Sequence, residues 1–426
     1  MATTLSAEKA IEKYEADIRA ERQRILSSEI AKDPRIREQG LYFLQSIQTT
    51  AFNMYVAPRP QFPALYVHQV FMPYELSWGL PSPNFLYRWS FLDGRHTYRI
   101  YGNAKGNFWT NLQVFHGFWG DEVMTTIGVI DFDNLPKKPN GDYEIFLGPS
   151  PPADPKSQTW VKLDPVDSIT VQVRDATYNW ADMHTADMRV EILDRDPDAS
   201  LHIDEADFVR RLEKATRWMR RNVAFAGGFL RSALTGDPTR PMGPDETVDP
   251  ALVRDLSRRN QFREVTSAAP PPGQSSAFAG SPLSSFAQMV YDLKPDEALI
   301  IEIPPIKARF WDLQLGDLWG QTTDYSHHRS SVNGHEARVD GDGLIRAVLT
   351  AADPGVTNWL DYAHVPMGMA LLRRYHLEGR GAPKTKLVKR SEVRRHLPPD
   401  TALTSPEERR AEMAIRKEAS LRRYGY

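Results

Sequence analysis

The chain has 426 residues, 41% of them hydrophobic, which is more than one compact core usually holds and ordinary for a globular protein with a substantial interior. Its net charge of −2 gives no long-range pull toward nucleic acid or an anionic membrane. There is no cysteine, which excludes disulfides, thiolate metal sites, iron–sulfur ligation and a Cys nucleophile.

Residues 1–52 read as an N-terminal helical arm. Ile11, Tyr14, Ile18 and Ile25 recur at helical spacing among Glu, Lys and Arg, and a second helix follows Pro34 through Ile36, Leu41, Leu44 and Ile47. The start lacks an apolar signal core, and no run approaches the roughly 18 apolar residues of a spanning helix, so a cytoplasmic location is expected. Residues 53–200 change texture. Pro58, Pro60, Pro63, Pro73, Pro81 and Pro83 break the chain into short pieces. Strand-like segments follow at 85–92, 97–101, 108–115, 123–132, 143–147 and 168–174, the spacing of a sandwich or jelly roll. Residues 201–285 open with a helix over 203–232, with Asp204 and Glu205 in its first turn and Arg220 and Arg221 late in it. A Pro-, Gly- and Ser-rich linker over 235–285 completes that part. Residues 286–378 return to strands, and 379–426 form a basic tail with a helix over 406–423. The fold class is mainly β with helical additions (α+β), built as two tandem β-sandwich or jelly-roll-like domains.

An internal repeat supports the two-domain reading. Phe108-Trp109-Thr110-Asn111-Leu112-Gln113 followed by Trp119-Gly120 returns as Phe310-Trp311-Asp312-Leu313-Gln314 followed by Trp319-Gly320. Gly141-Asp142 and Gly341-Asp342, Trp160 and Trp359, and Arg174 and Arg373 continue the match in order. The copies part after Trp-Gly. The first runs on as Asp121-Glu122-Val123-Met124, whereas the second becomes Asp324-Tyr325-Ser326-His327-His328-Arg329.

The second half, with GDLWGQTTDY, VDGDGLIRAV, AADPGVTNWLD and LLRRY, resembles the bacterial domain-of-unknown-function family 1214. The first half, with PSPNFLYRWSFLDGRHTYRIYG and NGDYEIFLGP, resembles the region that precedes it in longer members and the sister family 1254. The resemblance implies tandem jelly-roll-like domains and brings no settled activity or catalytic residue. The sister family's Pro-Asn continues into an acidic residue, whereas Pro83-Asn84 is followed by Phe85, so no role of that carboxylate carries over.

The polar departure from the repeat is the candidate site. His327 or His328 would move a proton near neutral pH, with Asp324 and Tyr325 orienting the imidazole or stabilising an oxyanion. Trp319, Arg329, Asp361, Trp78, Asn84, Tyr87 and Arg88 are the candidate substrate-binding residues. Asp361 stands out because Lys162 occupies its place in the other copy. Plainer roles compete: Asp324 as a turn cap, Tyr325 as a packed phenol, Arg329 in a scaffold ion pair. Cupin-type metal spacing, nucleotide-binding glycine motifs and a serine-nucleophile elbow are all missing, so neither cofactor nor metal is expected. The expected function is a cofactor-independent lyase or hydrolase acting on a small aromatic or polyhydroxylated compound. The alternative is a non-catalytic ligand- or carbohydrate-binding or structural double jelly roll. A closed pocket around Asp324, Tyr325 and a histidine favours the enzyme, and an open, splayed cluster favours the alternative. The expected partners are a small-molecule substrate and a second copy bound through the arm or tail, with neither nucleic acid nor membrane.

Overall fold

The computed structural model describes residues 5–67, 79–117, 121, 124–237, 248–265 and 281–424. Two helices lead. The first, α1 (Ala7–Ser27), starts at Ser6, whose side chain accepts from the Lys9 N–H. The second, α2 (Pro34–Ala51), starts at Asp33, with Pro34 where a missing N–H costs nothing. It then runs into a π-helical turn over Phe52–Val56.

The first domain contains β1 (Tyr66–Val67), β2 (Phe85–Leu92), β3 (Tyr98–Asn103), β4 (Trp109–His116), β5 (Thr125–Asp131), β6 (Asp142–Gly148), β7 (Thr159–Lys162), β8 (Ile169–Ala176) and β9 (Asp187–Ile192). They form a five-stranded sheet in the order β1-β2-β8-β4-β5 and a four-stranded sheet in the order β7-β6-β3-β9. Two helices follow, the long α3 (Glu205–Thr235) and the short α4 (Pro250–Arg254). The second domain contains β10 (Arg263–Val265), β11 (Ser284–Asp292), β12 (Glu297–Ile303), β13 (Phe310–Gly316), β14 (Ser331–Asn333), β15 (Ile345–Leu349), β16 (Trp359–Leu360), β17 (Met367–Tyr375) and β18 (Lys384–Lys389). Its sheets run β10-β11-β17-β13-β14 and β16-β15-β12-β18, and α5 (Pro406–Arg423) closes the chain.

The two copies therefore match strand for strand, down to the single parallel pair in each, β6 with β7 and β15 with β16. Side chains repeat as well. Arg174 donates to Asn111 (3.4 Å) and Gln113 (2.9 Å), and Arg373 donates to Asp312 (3.4 Å) and Gln314 (2.5 Å). Trp160 donates its indole N–H to Gly148 O and Trp359 to Thr350 O, the same bond in each copy. The register corrects one sequence match. Asn111 faces Arg174 as Asp312 faces Arg373, so Trp109 corresponds to Phe310 and not to Trp311.

The basic segment after Arg380 is not a free arm. Its residues 384–389 are β18, paired along β12, with Val388 buried and Lys384, Lys386 and Lys389 exposed. An edge strand with one wet face carries little apolar signal, which is why β9 and β18 escape a hydrophobicity reading. The N-terminal arm is likewise part of the body. Phe43, Ile47 and Ala51 of α2 share a core with Trp218, Met219 and Phe229 of α3, Trp89 of β2, and Met369 and Leu371 of β17. One helical layer thus covers the five-stranded sheets of both domains. An aromatic cluster joins the domains directly, with Phe85 4.6 Å from Phe310 and Trp109 4.9 Å from Tyr375 between ring centres. Among the described residues no helix is long and apolar enough to cross a membrane.

Candidate functional site

The polar stretch lies in the connection from β13 to β14, a loop rather than a strand. Asp317 organises its start. Its Oδ1 accepts from the N–H groups of Trp319 and Gln321, both at 2.9 Å, and its Oδ2 accepts from Gln321 Nε2 at 2.6 Å. Burial pushes this carboxyl up to about 6, with the three donors pulling the other way. Gly320 turns the loop at φ +75, where a side chain would be strained and would also meet the Phe229 ring.

Trp319 is no substrate wall. It is 4% exposed, stacks on Phe43 at 5.9 Å, and donates Nε1–H to Ile36 O at 2.7 Å. Tyr325 is equally committed. Its hydroxyl takes a hydrogen bond from Arg423 at 2.9 Å, its ring faces Trp180, and burial holds its pKa well above the phenol range. Arg329 is 2% exposed and clamped between Glu412 (2.5 Å) and the Trp359 carbonyl. Burial would raise Glu412, but Arg329, Arg416 and Arg409 together hold its carboxyl low. Tyr325 and Arg329 are covered by α5. Its Arg409, Arg416 and Arg423 recur every seventh residue and lie over Trp359, Trp180 and Tyr325 at 5.5, 4.9 and 5.5 Å.

Two carboxylate–imidazole pairs remain. Asp324 takes the Ser326 and His327 N–H groups on Oδ1, and its Oδ2 lies 3.0 Å from His327 Nδ1. That pair is open, with the His327 side chain 42% exposed. His328 turns the other way, placing Nδ1 2.7 Å from Asp361 Oδ2, with side chains 29% and 15% exposed. Asp361 is fixed by its N–H to Arg329 O (2.9 Å) and by the Ala363 N–H on Oδ1 (2.8 Å). Ala363 and His364 both adopt positive φ, +50 and +65, a conformation that costs residues bearing a Cβ roughly 1–3 kcal/mol each. The strain brings the His364 ring edge-on to His328 at 5.5 Å. His364 lay in no sequence motif and could be found only from the fold.

The first-domain candidates stand elsewhere. Asn84 is fully buried between the domains, donating to Asp312 (3.1 Å) and accepting from Asn333 (2.9 Å). Tyr87 accepts the Ser82 N–H at 3.1 Å, and Arg88 is paired with Asp175 at 3.0 Å. These three hold the domains and the sheet rather than a mouth. Trp78 lies outside the described residues. The ten described candidates therefore divide among α5, the helical layer, the domain junction with the first sheet, and two separate His–Asp pairs.

Sequence reasoning missed a concave region on α3. A cavity of about 270 Å³ is floored by Met54, Phe91, Leu92 and Ile169 and rimmed by Arg95, Arg210, Arg211 and Lys214. The π-helical turn aims Tyr55 into it, and the hydroxyl donates to Asp121 at 2.6 Å. Burial, then the Asp121 charge, raises that phenol well above its usual range. The available signal was six cations among the twelve residues 210–221, in a chain of near-zero net charge. Since α3 continues to Thr235, these cations are mid-helix and gain nothing from the helix C-terminus. Among the described residues, no group of three or more His, Cys, Asp or Glu is placed to hold a metal ion.

One solved structure shares the architecture. The chain is similar to an uncharacterized protein from Burkholderia cenocepacia, with 22% identity over 90% of this chain and 97% of that one, at a TM-score of 0.75. A Vibrio parahaemolyticus protein is 12% identical over 82% of this chain and 98% of that one, at 0.47. No curated protein matches. The model of a family described as proteins of unknown function, DUF1214, matches residues 89–177. That span lies in the first copy, whereas the motifs had placed the resemblance in the second. From within β2 to the end of β8, the chain is thus similar to the DUF1214 family.

Proposed function

We propose that the protein is a cofactor-independent acid–base enzyme, a lyase or hydrolase of small compounds, with His328 as base and Asp361 as the residue that positions it. The 2.7 Å contact from His328 Nδ1 to Asp361 Oδ2 carries this reading. An ionised carboxylate can only accept, so the ring proton stays on Nδ1 and the Nε2 lone pair points away from Asp361. Taking a proton at Nε2 creates an imidazolium whose charge the adjacent carboxylate stabilises. His364 stands close enough to serve as a second proton carrier. The aromatic-substrate part of the expectation loses its support, since Trp319 is enclosed and Tyr325 lies under α5.

The test is turnover of a panel of small hydroxylated and aryl compounds by the intact chain. His328→Gln is expected to lower kcat by about 10²–10⁴-fold, the usual worth of a positioned base. Asp361→Asn should lower it less while shifting the pH profile. A His328→Gln rate within twofold of the parent would sink the proposal.

Tyr325 sealed under α5 and the open Asp324–His327 pair form a splayed cluster and no closed pocket, which favours a second reading, a non-catalytic ligand- or carbohydrate-binding or structural double jelly roll. In that case the same substitutions alter ligand affinity, and no turnover depends on them.

A further inference from the structure

A second cavity, about 360 Å³, lies between α1 and α3 and is lined by Lys13, Asp17, Glu213, Thr216, Arg217, Arg220 and Arg221. Every residue of that lining is polar. The four cations outnumber the two carboxylates by two. Lys13 is held by Asp17 at 2.8 Å, and Arg220 reaches Glu21 at 3.3 Å. Arg217 and Arg221 differ from the other cations of α3. Arg210 and Lys214 are committed to Asp167, and Arg211 to Asp207. Among the described residues, Arg217 and Arg221 form neither an ion pair nor a hydrogen bond. One turn apart on the helix, they face each other as like charges, an arrangement that weakens a helix unless an anion sits between them.

We infer that this cavity binds a small phosphoryl anion, such as pyrophosphate or a phosphate monoester, held chiefly by Arg217 and Arg221. Planar guanidinium forks match the oxygens of a tetrahedral oxyanion in pairs. Cations converging from two helices also suit a ligand with at least three acceptor oxygens better than a carboxylate with two. The ligand's negative charge offsets the cationic excess, which Glu21 beside Arg220 reduces but does not remove. Glu213, on the rim, opposes the anion and sets the affinity limit. This inference is independent of the His328–Asp361 reading, since the two places lie on different parts of the molecule.

The experiment is calorimetric titration of the full chain with pyrophosphate, inorganic phosphate and succinate at low, matched ionic strength. Saturable one-to-one binding of pyrophosphate is expected, with succinate at least tenfold weaker. Arg217→Ala and Arg221→Ala should each weaken binding tenfold or more, the double variant should abolish it, and Glu213→Gln should tighten it. Circular dichroism checks that each variant keeps its helices. No saturable signal with either phosphate, equal affinity for succinate, or a folded double variant that binds as the parent does would each overturn the inference.

Discussion

Asp317 shows how a single carboxyl can be costly and indispensable together. It is 3% exposed, and three donors organise the β13–β14 loop around it. Its folded pKa of about 6 lies above the ordinary 3.8, so between those values the native state binds the proton more readily than the unfolded chain does. Stability from this group is therefore greatest below pH ~4 and falls as pH rises toward 6, by on the order of 3 kcal/mol. Asp317→Asn should flatten that dependence. Urea midpoints at pH 4.5 and 7 read it, and an unchanged difference would assign the slope to other buried carboxyls such as Asp312 and Asp175. The substitution is tolerable because Gln321 Oε1 has no partner and can turn to accept from the new amide. Trp319→Ala acts differently, opening a void under α2 and losing the bond to Ile36. Thermal or urea unfolding should show a loss of about 3–5 kcal/mol.

At the scale of elements, α5 was legible at both ends and illegible in its middle. Ser405 and Glu408 form a reciprocal capping box ahead of an uninterrupted helical run, so 406–423 could be read directly. Its buried face is another matter, because Arg409, Arg416 and Arg423 face inward, with only the small Ala419 and Ser420 beside them. A periodicity built on apolar residues cannot find a stripe built on guanidiniums stacked over indole and phenol rings. The same blindness made Tyr325 and Arg329 look available, since nothing local reveals the helix that covers them some eighty residues later. Strands β2 and β8 were visible through their apolar content, whereas the wet-edged β9 and β18 were not. Arg416→Ala tests the importance of the stripe. It strands Glu336 and the Ser331 hydroxyl, and removing one member of a buried pair costs about 3–5 kcal/mol. Hydrogen exchange should then show amides of α5 losing protection before those of the sheets.

For the whole molecule, the duplication leaves two sandwiches that are alike in topology and unequal at their junction. Where the first copy has neutral Asn111, the second has Asp312, reached by Ser82, Asn84 and Arg373 and fully buried between the domains. Burial raises that carboxyl, while the Arg373 charge opposes the shift. Asp312→Ala leaves Arg373 without its charge partner and should cost about 3–5 kcal/mol, whereas Asn111→Ala should cost about 1–2. Equal losses in chemical denaturation would show that the charge contributes nothing to joining the domains. The internal repeat was readable in the sequence because Asn-Leu-Gln and Asp-Leu-Gln both serve an arginine on the neighbouring strand. The task of the second copy's acid was not, since its partners come from Ser82 and Asn84 in the other half.

Among the described residues, each four-stranded sheet ends on a strand with a single partner, β9 in one copy and β18 in the other. Unpaired backbone along such a margin is a template for adding a strand from another molecule. The lysines of β18 guard it: a second chain aligning its own β18 there would set Lys384, Lys386 and Lys389 against their counterparts. The basic run thus lines that margin with like charges, which disfavour pairing with a copy of itself. Acetylation of those amines is therefore expected to raise edge-wise self-association, read as an increase in light scattering.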